Sequence, residues 1–94
     1  MTVYVMARVK VTDEKRFAEY AKRAGPSAAK YGGEYLARGG KCKTMEGEHR
    51  ARNVISVWPS MERALEWYHS PEYQQAKAFR DGAAEMDMCF VEGL

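Results

Sequence analysis

The first eleven residues alternate between two kinds of side chain. Every odd position from residue 3 to residue 11 is Val or Ala, whereas the even positions run through Tyr4, Met6 and Arg8. A period of two predicts a β-strand over Thr2–Val11. We expect its aliphatic face to pack on helices. Tyr4 and Met6 lie on the opposite face and are too apolar for open water, so this second face is expected to be covered as well.

The next segment has the period of an amphipathic helix. Thr12 or Asp13 provides the N-cap, and apolar residues then recur at spacings of three and four. These residues are Phe17, Tyr20, Ala21, Ala24 and Ala28. We expect the Gly25–Pro26 pair to kink or restart the helix, because proline cannot donate the backbone hydrogen bond. The Gly32–Gly33 pair is expected to end it.

Two strands and two helices follow. The pattern predicts strands over Glu34–Arg38 and Arg52–Trp58, antiparallel because their connection is short. Gly39 and Gly40 allow a bulge or a sharp bend after Arg38, and we expect the strand to resume through Thr44–Glu46.

Ser60 and Ser70 carry the signals of helix N-caps, the second followed by Pro71. The apolar stripes of these helices are Met61, Ala64, Leu65 and Tyr68, and then Tyr73, Ala76, Phe79 and Ala83. A last strand is predicted over Asp87–Glu92.

This order of elements predicts an α+β, ferredoxin-like βαββαβ fold, in which helices cover one face of a four-stranded antiparallel sheet. Ninety-four residues fit one such domain, spanning 1–94. Because the helices leave the other face of the sheet bare, two subunits that join these faces would form a dimeric α/β barrel. The expected partner is therefore a second copy of the chain.

Composition narrows the function. The net charge of +2 is too small for the basic field of a nucleic-acid-binding protein. The densest basic cluster is interrupted by Glu46 and Glu48 and indicates a solvated hairpin; its members are Lys41, Lys43, His49, Arg50 and Arg52. Arg8 and Lys10 interrupt any apolar leader or membrane span, which favours a cytoplasmic location.

The two cysteines lack the spacing of a zinc or redox motif. We expect Cys42 to be a loop thiol and Cys89 a core residue. We expect no metal site and no cofactor.

Several stretches together resemble the domain-of-unknown-function family 1330. They are the opening YVMARVKVTD, the RGG at residues 38–40, the run WYHSPEYQ at residues 67–74 and the closing VEG. The resemblance covers almost the whole chain and implies the dimeric α/β-barrel form of the ferredoxin-like fold, but no agreed activity. Where the family usually has Glu and then Phe, this chain has Val57 and Trp58. The loss of a carboxylate favours binding over catalysis.

Five residues are candidates for a ligand site. The Arg38 guanidinium, beside two glycines, is suited to grip a carboxylate, although an interface salt bridge also explains it. The rings of Tyr4, Trp58 and Tyr73 are suited to line an apolar pocket, although such rings usually fill cores. His69 has the chemistry of a general base or of a metal or haem ligand, and equally that of a helix cap or a solvent-facing residue.

The leading prediction is a small cytoplasmic homodimer that binds a small organic or aromatic acid in an apolar pocket. Two alternatives remain open at this stage. One is a cofactor-free oxygenase, an isomerase or a haem-binding protein of the dimeric α/β-barrel type, by fold analogy. The other is a purely structural or interaction module.

Overall fold

Seven elements follow one another in the computed structural model, which describes residues 1–94. They are β1 (Val3–Val11), α1 (Glu14–Lys30), β2 (Glu34–Arg38), β3 (Arg52–Trp58), α2 (Met61–Tyr68), α3 (Pro71–Arg80) and β4 (Ala84–Glu92). The strands form one antiparallel sheet in the order β2-β3-β1-β4. The predicted ferredoxin-like fold is therefore confirmed. None of the helices has the length and apolar character needed to cross a bilayer.

Strand β1 lies inside the sheet and pairs with β3 on one side and β4 on the other. Its buried side chains are Val3, Val5, Ala7 and Val9, the face that was expected to pack on helices. They form one core with rings from all three helices, namely Phe17, Tyr20, Trp67 and Tyr73. Each aliphatic or aromatic side chain buried here contributes on the order of 1.5–3 kcal/mol.

The second face of the sheet carries no helix, and we call it the open face. Its apolar residues, by strand register, are Tyr4, Met6, Ile55, Val57, Cys89 and Val91. Met6, Ile55 and Val91 are 40%, 38% and 42% exposed. The expectation that Cys89 is a core residue was wrong, because its position in β4 puts the thiol on this face, whereas Cys42 is an exposed loop thiol as expected.

Side-chain caps define where the helices begin. The Asp13 carboxylate accepts a hydrogen bond from the Arg16 backbone N–H at 3.1 Å, so Asp13 is the N-cap of α1. Ser60 and Ser70 accept in the same way from Arg63 and Tyr73, each at 3.1 Å. Helix α1 continues through Pro26 and does not restart there.

The buried stripe of α2 differs from the predicted one. Trp67 and Ala64 are its buried residues, whereas Leu65 is 43% exposed. Leu65 faces away because Trp67 is the side chain of α2 that reaches the core, where it lies against Trp58 with ring centroids 4.7 Å apart.

The expected strand at Thr44–Glu46 does not form. Residues 39–51 contain no strand at all. The segment is held by side chains instead of a ladder. Arg8 on the open face donates to the Glu48 carbonyl at 3.0 Å. Arg50 donates to the Glu85 carbonyl at 2.9 Å. These bonds tie the loop across one end of the open face and leave its apolar part uncovered.

Strand β4 begins at Ala84, three residues before the expected start at Asp87. Ala84, Met86 and Met88 keep the period of two on the helix face. The intervening acids are the polar half of the same alternation, which begins before the predicted start. They face the open side, where Glu85 lies 4.0 Å from Lys10 and Asp87 lies 3.4 Å from Arg50.

Gly33, just before β2, lies directly against the buried ring of Trp58. A Cβ at residue 33 would lie 2.4 Å from Cζ2 of this ring, which is 2% exposed. We expect Gly33→Ala to lower the free energy of unfolding by about 1–3 kcal/mol, because a buried ring and its neighbours must shift. Urea denaturation followed by circular dichroism measures the change.

Gly40→Ala is the matched control, since a Cβ at residue 40 would meet no atom within 4 Å. We expect its stability to stay within about 0.5 kcal/mol of the wild type. Equal effects of the two substitutions would show that the Trp58 contact does not limit residue 33.

Candidate functional site

A cavity of about 400 Å³ lies between α1 and the helix face of the sheet. Alanines of α1 and the small side chains of β1 leave this space, since Ala21, Ala24, Val5 and Ala7 all line it. Folded interiors contain few voids larger than one water molecule. A cavity this large in a chain this short is therefore the candidate site, and its size suits a small organic molecule.

Three cations line the cavity, and no carboxylate does. They are Lys22 from α1, Arg38 from β2 and Arg52 from β3. None of the three takes part in the ion pairs of the molecule, which involve Lys10, Arg23, Lys30, Arg50 and Arg63. Lys22 and Arg38 are exposed and Arg52 is half-buried, so positive charge lies beside the apolar surface with no carboxylate at ion-pair distance.

A β-bulge turns Arg38 toward the cavity. Tyr35 lies opposite Ser56 and Ala37 lies opposite Ile55, so Leu36 is an extra residue in β2. As a result Arg38 pairs with Val54 and shares the helix face with Tyr35. Without the extra residue, the alternation of a strand would place Arg38 on the open face. The Arg38 guanidinium lies over the Tyr35 ring, 4.5 Å from its centroid.

Arg52 reaches the cavity from the start of β3. Its guanidinium lies 5.3 Å from the centroid of the Phe17 ring, and its Nε is buried without a hydrogen-bond partner. Gly39, whose φ is +73°, makes room for it, because a Cβ there would lie 2.7 Å from an Arg52 Nη. A buried guanidinium N–H without an acceptor is costly, and an anionic ligand would satisfy it.

Two tyrosines form a buried hydrogen-bonded pair behind the cavity wall. The hydroxyl of Tyr20, which lines the cavity, lies 2.9 Å from that of Tyr73. Arg80 packs over the Tyr20 ring at 5.4 Å, with its own Nε unpaired. Burial raises the pKa of both Tyr20 and Tyr73. Both hydroxyls therefore stay protonated near neutral pH and act as hydrogen-bonding groups.

The wall nearest α2 is aromatic. Both tryptophans of the chain, Trp58 and Trp67, line the cavity. Their indole N–H groups donate to hydroxyls of buried serines, Trp58 to Ser56 at 2.9 Å and Trp67 to Ser27 at 3.0 Å. A ligand in the cavity would contact both indoles, so tryptophan fluorescence should report its binding.

The sequence matches the domain of unknown function DUF1330 over residues 2–94. The chain belongs to the DUF1330 family. The resemblance seen in the sequence is thereby confirmed. No protein of curated function matches it.

Solved structures of related shape support the fold of this family member. A protein of unknown function from Rhodopseudomonas palustris is 21% identical, with a TM-score of 0.82, and the match covers 99% of this chain and 82% of that one. SnoaB, a cofactor-independent oxygenase from Streptomyces nogalater, is 12% identical, with a TM-score of 0.72 and coverage of 99% and 93%. A dimeric ferredoxin-like protein of unknown function from Thermobifida fusca is 12% identical, with a TM-score of 0.71 and coverage of 99% and 92%.

The five candidate residues of this DUF1330 chain do not share one place. Arg38 and Trp58 line the cavity. Tyr73 is fully buried behind it and reaches it through Tyr20. Tyr4 lies on the open face, where its ring packs over Gly93. His69 is the exposed C-cap residue of α2 and lies outside the cavity, with its ring 5.3 Å from that of Tyr68.

Sequence reasoning missed Arg52, Ser56 and Tyr20. Arg52 was grouped with the charged hairpin, although it begins β3 and shares a face with Val54 and Trp58. Arg52 and Ser56 are two polar residues on the helix face of one strand, and this pattern could have predicted a polar site there. The apolar stripe of α1 predicts only a core role for Tyr20. No three His, Cys, Asp or Glu side chains lie close enough together to hold a metal ion.

The hydroxyl pair of Tyr20 and Tyr73 should stabilise the fold cooperatively. Replacing either tyrosine with Phe leaves the other hydroxyl buried without its partner. We expect each single substitution to cost about 1–3 kcal/mol, and the double substitution to cost less than the sum of the two. Urea denaturation of the four proteins in this double-mutant cycle measures the coupling.

The same four proteins have a distinct pH dependence. A tyrosine whose pKa is raised by folding contributes stability below about pH 10, its ordinary pKa, and this contribution is lost as the pH rises further. The wild type should therefore lose stability above that pH more steeply than the double Phe variant. Additive energies at neutral pH, with identical alkaline profiles, would contradict the buried pair.

Proposed function

We propose that this DUF1330 chain binds a small organic acid with an apolar or aromatic body in the cavity beneath α1. The observation that carries the proposal is the meeting of an apolar cavity with three cations that form no ion pair, Lys22, Arg38 and Arg52. Arg52 is half-buried with an unpaired Nε, and a charge that is partly withdrawn from water is stabilised when a ligand supplies its counterion. A carboxylate on an apolar body meets both requirements.

The proposed ligand would lie with its carboxylate toward the two arginines and its ring toward the indoles. Guanidinium groups bind carboxylates with two parallel hydrogen bonds, and Arg52 has a buried Nε available for one of them. Tyr35 supports the same end of the cavity, because burial raises the pKa of its hydroxyl and keeps it a donor. The apolar lining then contributes the affinity and the cations the specificity.

A catalytic use of the cavity is the second candidate, since SnoaB is described as a cofactor-independent oxygenase. The titratable groups that line the cavity of this chain favour binding over catalysis. No His, Cys, Asp or Glu side chain lines the cavity, and burial keeps Tyr20 protonated. The cavity thus lacks a side chain whose usual pKa suits a general base at neutral pH. His69, the candidate base or haem ligand, is exposed outside it.

The affinity for carboxylates provides the test. We expect benzoate to bind more tightly than the neutral isostere benzamide, measured by titration calorimetry and by tryptophan fluorescence. Arg52→Met should weaken benzoate binding about tenfold or more, because a hydrogen bond to a charged group contributes about 1.5–3 kcal/mol. Arg38→Met should act in the same direction.

Arg63→Met is the matched control, since Arg63 pairs with Glu66 on the surface of α2. It should leave benzoate binding unchanged. Equal affinity for benzoate and benzamide, or full affinity in Arg52→Met, would refute the proposed function.

We further propose that the protein acts as a homodimer joined through the open face. Partly exposed Met6 and Ile55 lie side by side there, and Val91 extends the patch. The related Thermobifida fusca protein is dimeric. Burial of this patch against its own copy removes apolar surface from water on both subunits. A cytoplasmic location belongs to the proposal, because both cysteines are free thiols.

Ile55→Glu tests the dimer. A carboxylate at this position would be buried without a partner in the contact, so we expect a monomer in sedimentation velocity at micromolar concentration, where the wild type sediments as a dimer. Leu65→Glu is the control, because Leu65 is similarly exposed, at 43%, but belongs to α2 on the other side of the sheet. A monomeric wild type, or a dimeric Ile55→Glu protein, would argue against this interface.

A further inference from the structure

The Ser56 hydroxyl is a buried polar group whose hydrogen-bonding capacity is only partly used. Ser56 is 4% exposed and lines the cavity. Its Oγ accepts the indole N–H of Trp58 at 2.9 Å. A serine hydroxyl has one donor hydrogen in addition to its acceptor lone pairs, and no protein group accepts the hydrogen of Ser56.

Ser56 differs in this respect from the other buried serines. Ser27 donates to the Ala24 carbonyl at 2.7 Å, and Ser70 donates to the Trp67 carbonyl at 2.6 Å. Both use a carbonyl three residues earlier in the chain, which helical backbone provides. Ser56 lies in β3, between β2 and β1, where the carbonyls are engaged in the ladders on either side. Its donor is therefore left for a molecule in the cavity.

Ser56 and Arg38 face the same cavity from neighbouring strands. Val54 pairs with Arg38 and lies two residues before Ser56 on the same face of β3. Two residues of a strand span about 7 Å of backbone, and the Arg38 side chain extends from the neighbouring strand. The two polar groups therefore lie apart in the same cavity, so one ligand can meet them at different ends. The Trp58 indole, which is fixed by the same hydroxyl, borders this part of the cavity.

We propose that Ser56 selects aromatic carboxylates that carry an acceptor oxygen, either a hydroxyl or a carbonyl, on the ring opposite the carboxylate. The arginines hold the carboxylate and the Ser56 hydroxyl donates to the distal oxygen. This inference rests on the proposed function and narrows its ligand class. Ser56 is then a specificity-determining residue, because its hydrogen bond distinguishes ligands that share the same charge and ring.

The test compares two ligands of nearly equal shape. Para-hydroxybenzoate has the distal oxygen, and para-methylbenzoate replaces it with a methyl group. Titration calorimetry of the full chain should give about two- to tenfold tighter binding of the hydroxyl compound, the range that one neutral hydrogen bond provides. Para-acetylbenzoate, which has an acceptor and no donor, should share this preference if Ser56 is the donor.

The variants remove the Ser56 hydroxyl without stranding the indole N–H. Trp58→Phe takes away the indole donor and should keep the preference for the hydroxyl compound. The double variant Trp58→Phe with Ser56→Ala removes both polar groups and should bind the two ligands equally. Trp67 remains in both variants as a fluorescence probe of the cavity.

The outcomes separate this inference from the function on which it rests. Carboxylates that bind better than their amides, without a preference for the distal oxygen, would overturn the role of Ser56 and leave the proposed function intact. A preference that persists in the double variant would also overturn it. Absence of binding by any carboxylate would overturn both.

Discussion

Strand β1 hydrogen-bonds to neighbours on both sides, and its side chains must therefore divide between two faces of the sheet that have different surroundings. On one face Val3, Val5, Ala7 and Val9 meet the helices; on the other Tyr4 and Met6 meet no helix. A shift of one residue would exchange the two sets. The core, the cavity and the open face all depend on this division.

The cavity exists because the residues between α1 and the sheet are small where they meet. Ala24 and Ala28 of α1 are opposed by the alanine and valines of β1, and larger rings close the ends of the space. Fuller packing would make the fold more stable. The unpaired Nε of Arg52 and the unused donor of Ser56 also lower stability, since buried polar groups in a core are normally hydrogen-bonded.

Local signals in the sequence were sufficient for most of the fold. The alternation of β1 and the caps at Asp13, Ser60 and Ser70 each rest on a few neighbouring residues, and the structure has them all. The segment 39–51 was misjudged because long-range bonds from Arg8 and Arg50 decide its course.

The site was harder to predict than the fold. Arg38 was predicted from its charge beside a glycine pair, and Trp58 from its large ring; both line the cavity. Arg52 was assigned to a solvated cluster by its sequence neighbours, whereas its strand position decides its surroundings. Tyr4 and His69 have suitable chemistry, but the sheet and the α2 terminus direct them away from the cavity. The set of side chains that meet at the cavity depends on tertiary packing. The spacing of residues along the sequence does not contain this information.

The bulge at Leu36 decides which side chains of β2 lie on the helix face and which lie on the open face. In the observed register Arg38 lies opposite Val54; in a regular one it would lie opposite Asn53, and Leu36 would lie opposite Ile55. Under the proposed function, a ligand bound to Arg38 would favour this register of the edge strand. If the open face joins two subunits as proposed, that register also determines which side chains β2 places there, and ligand binding and self-association would be thermodynamically linked.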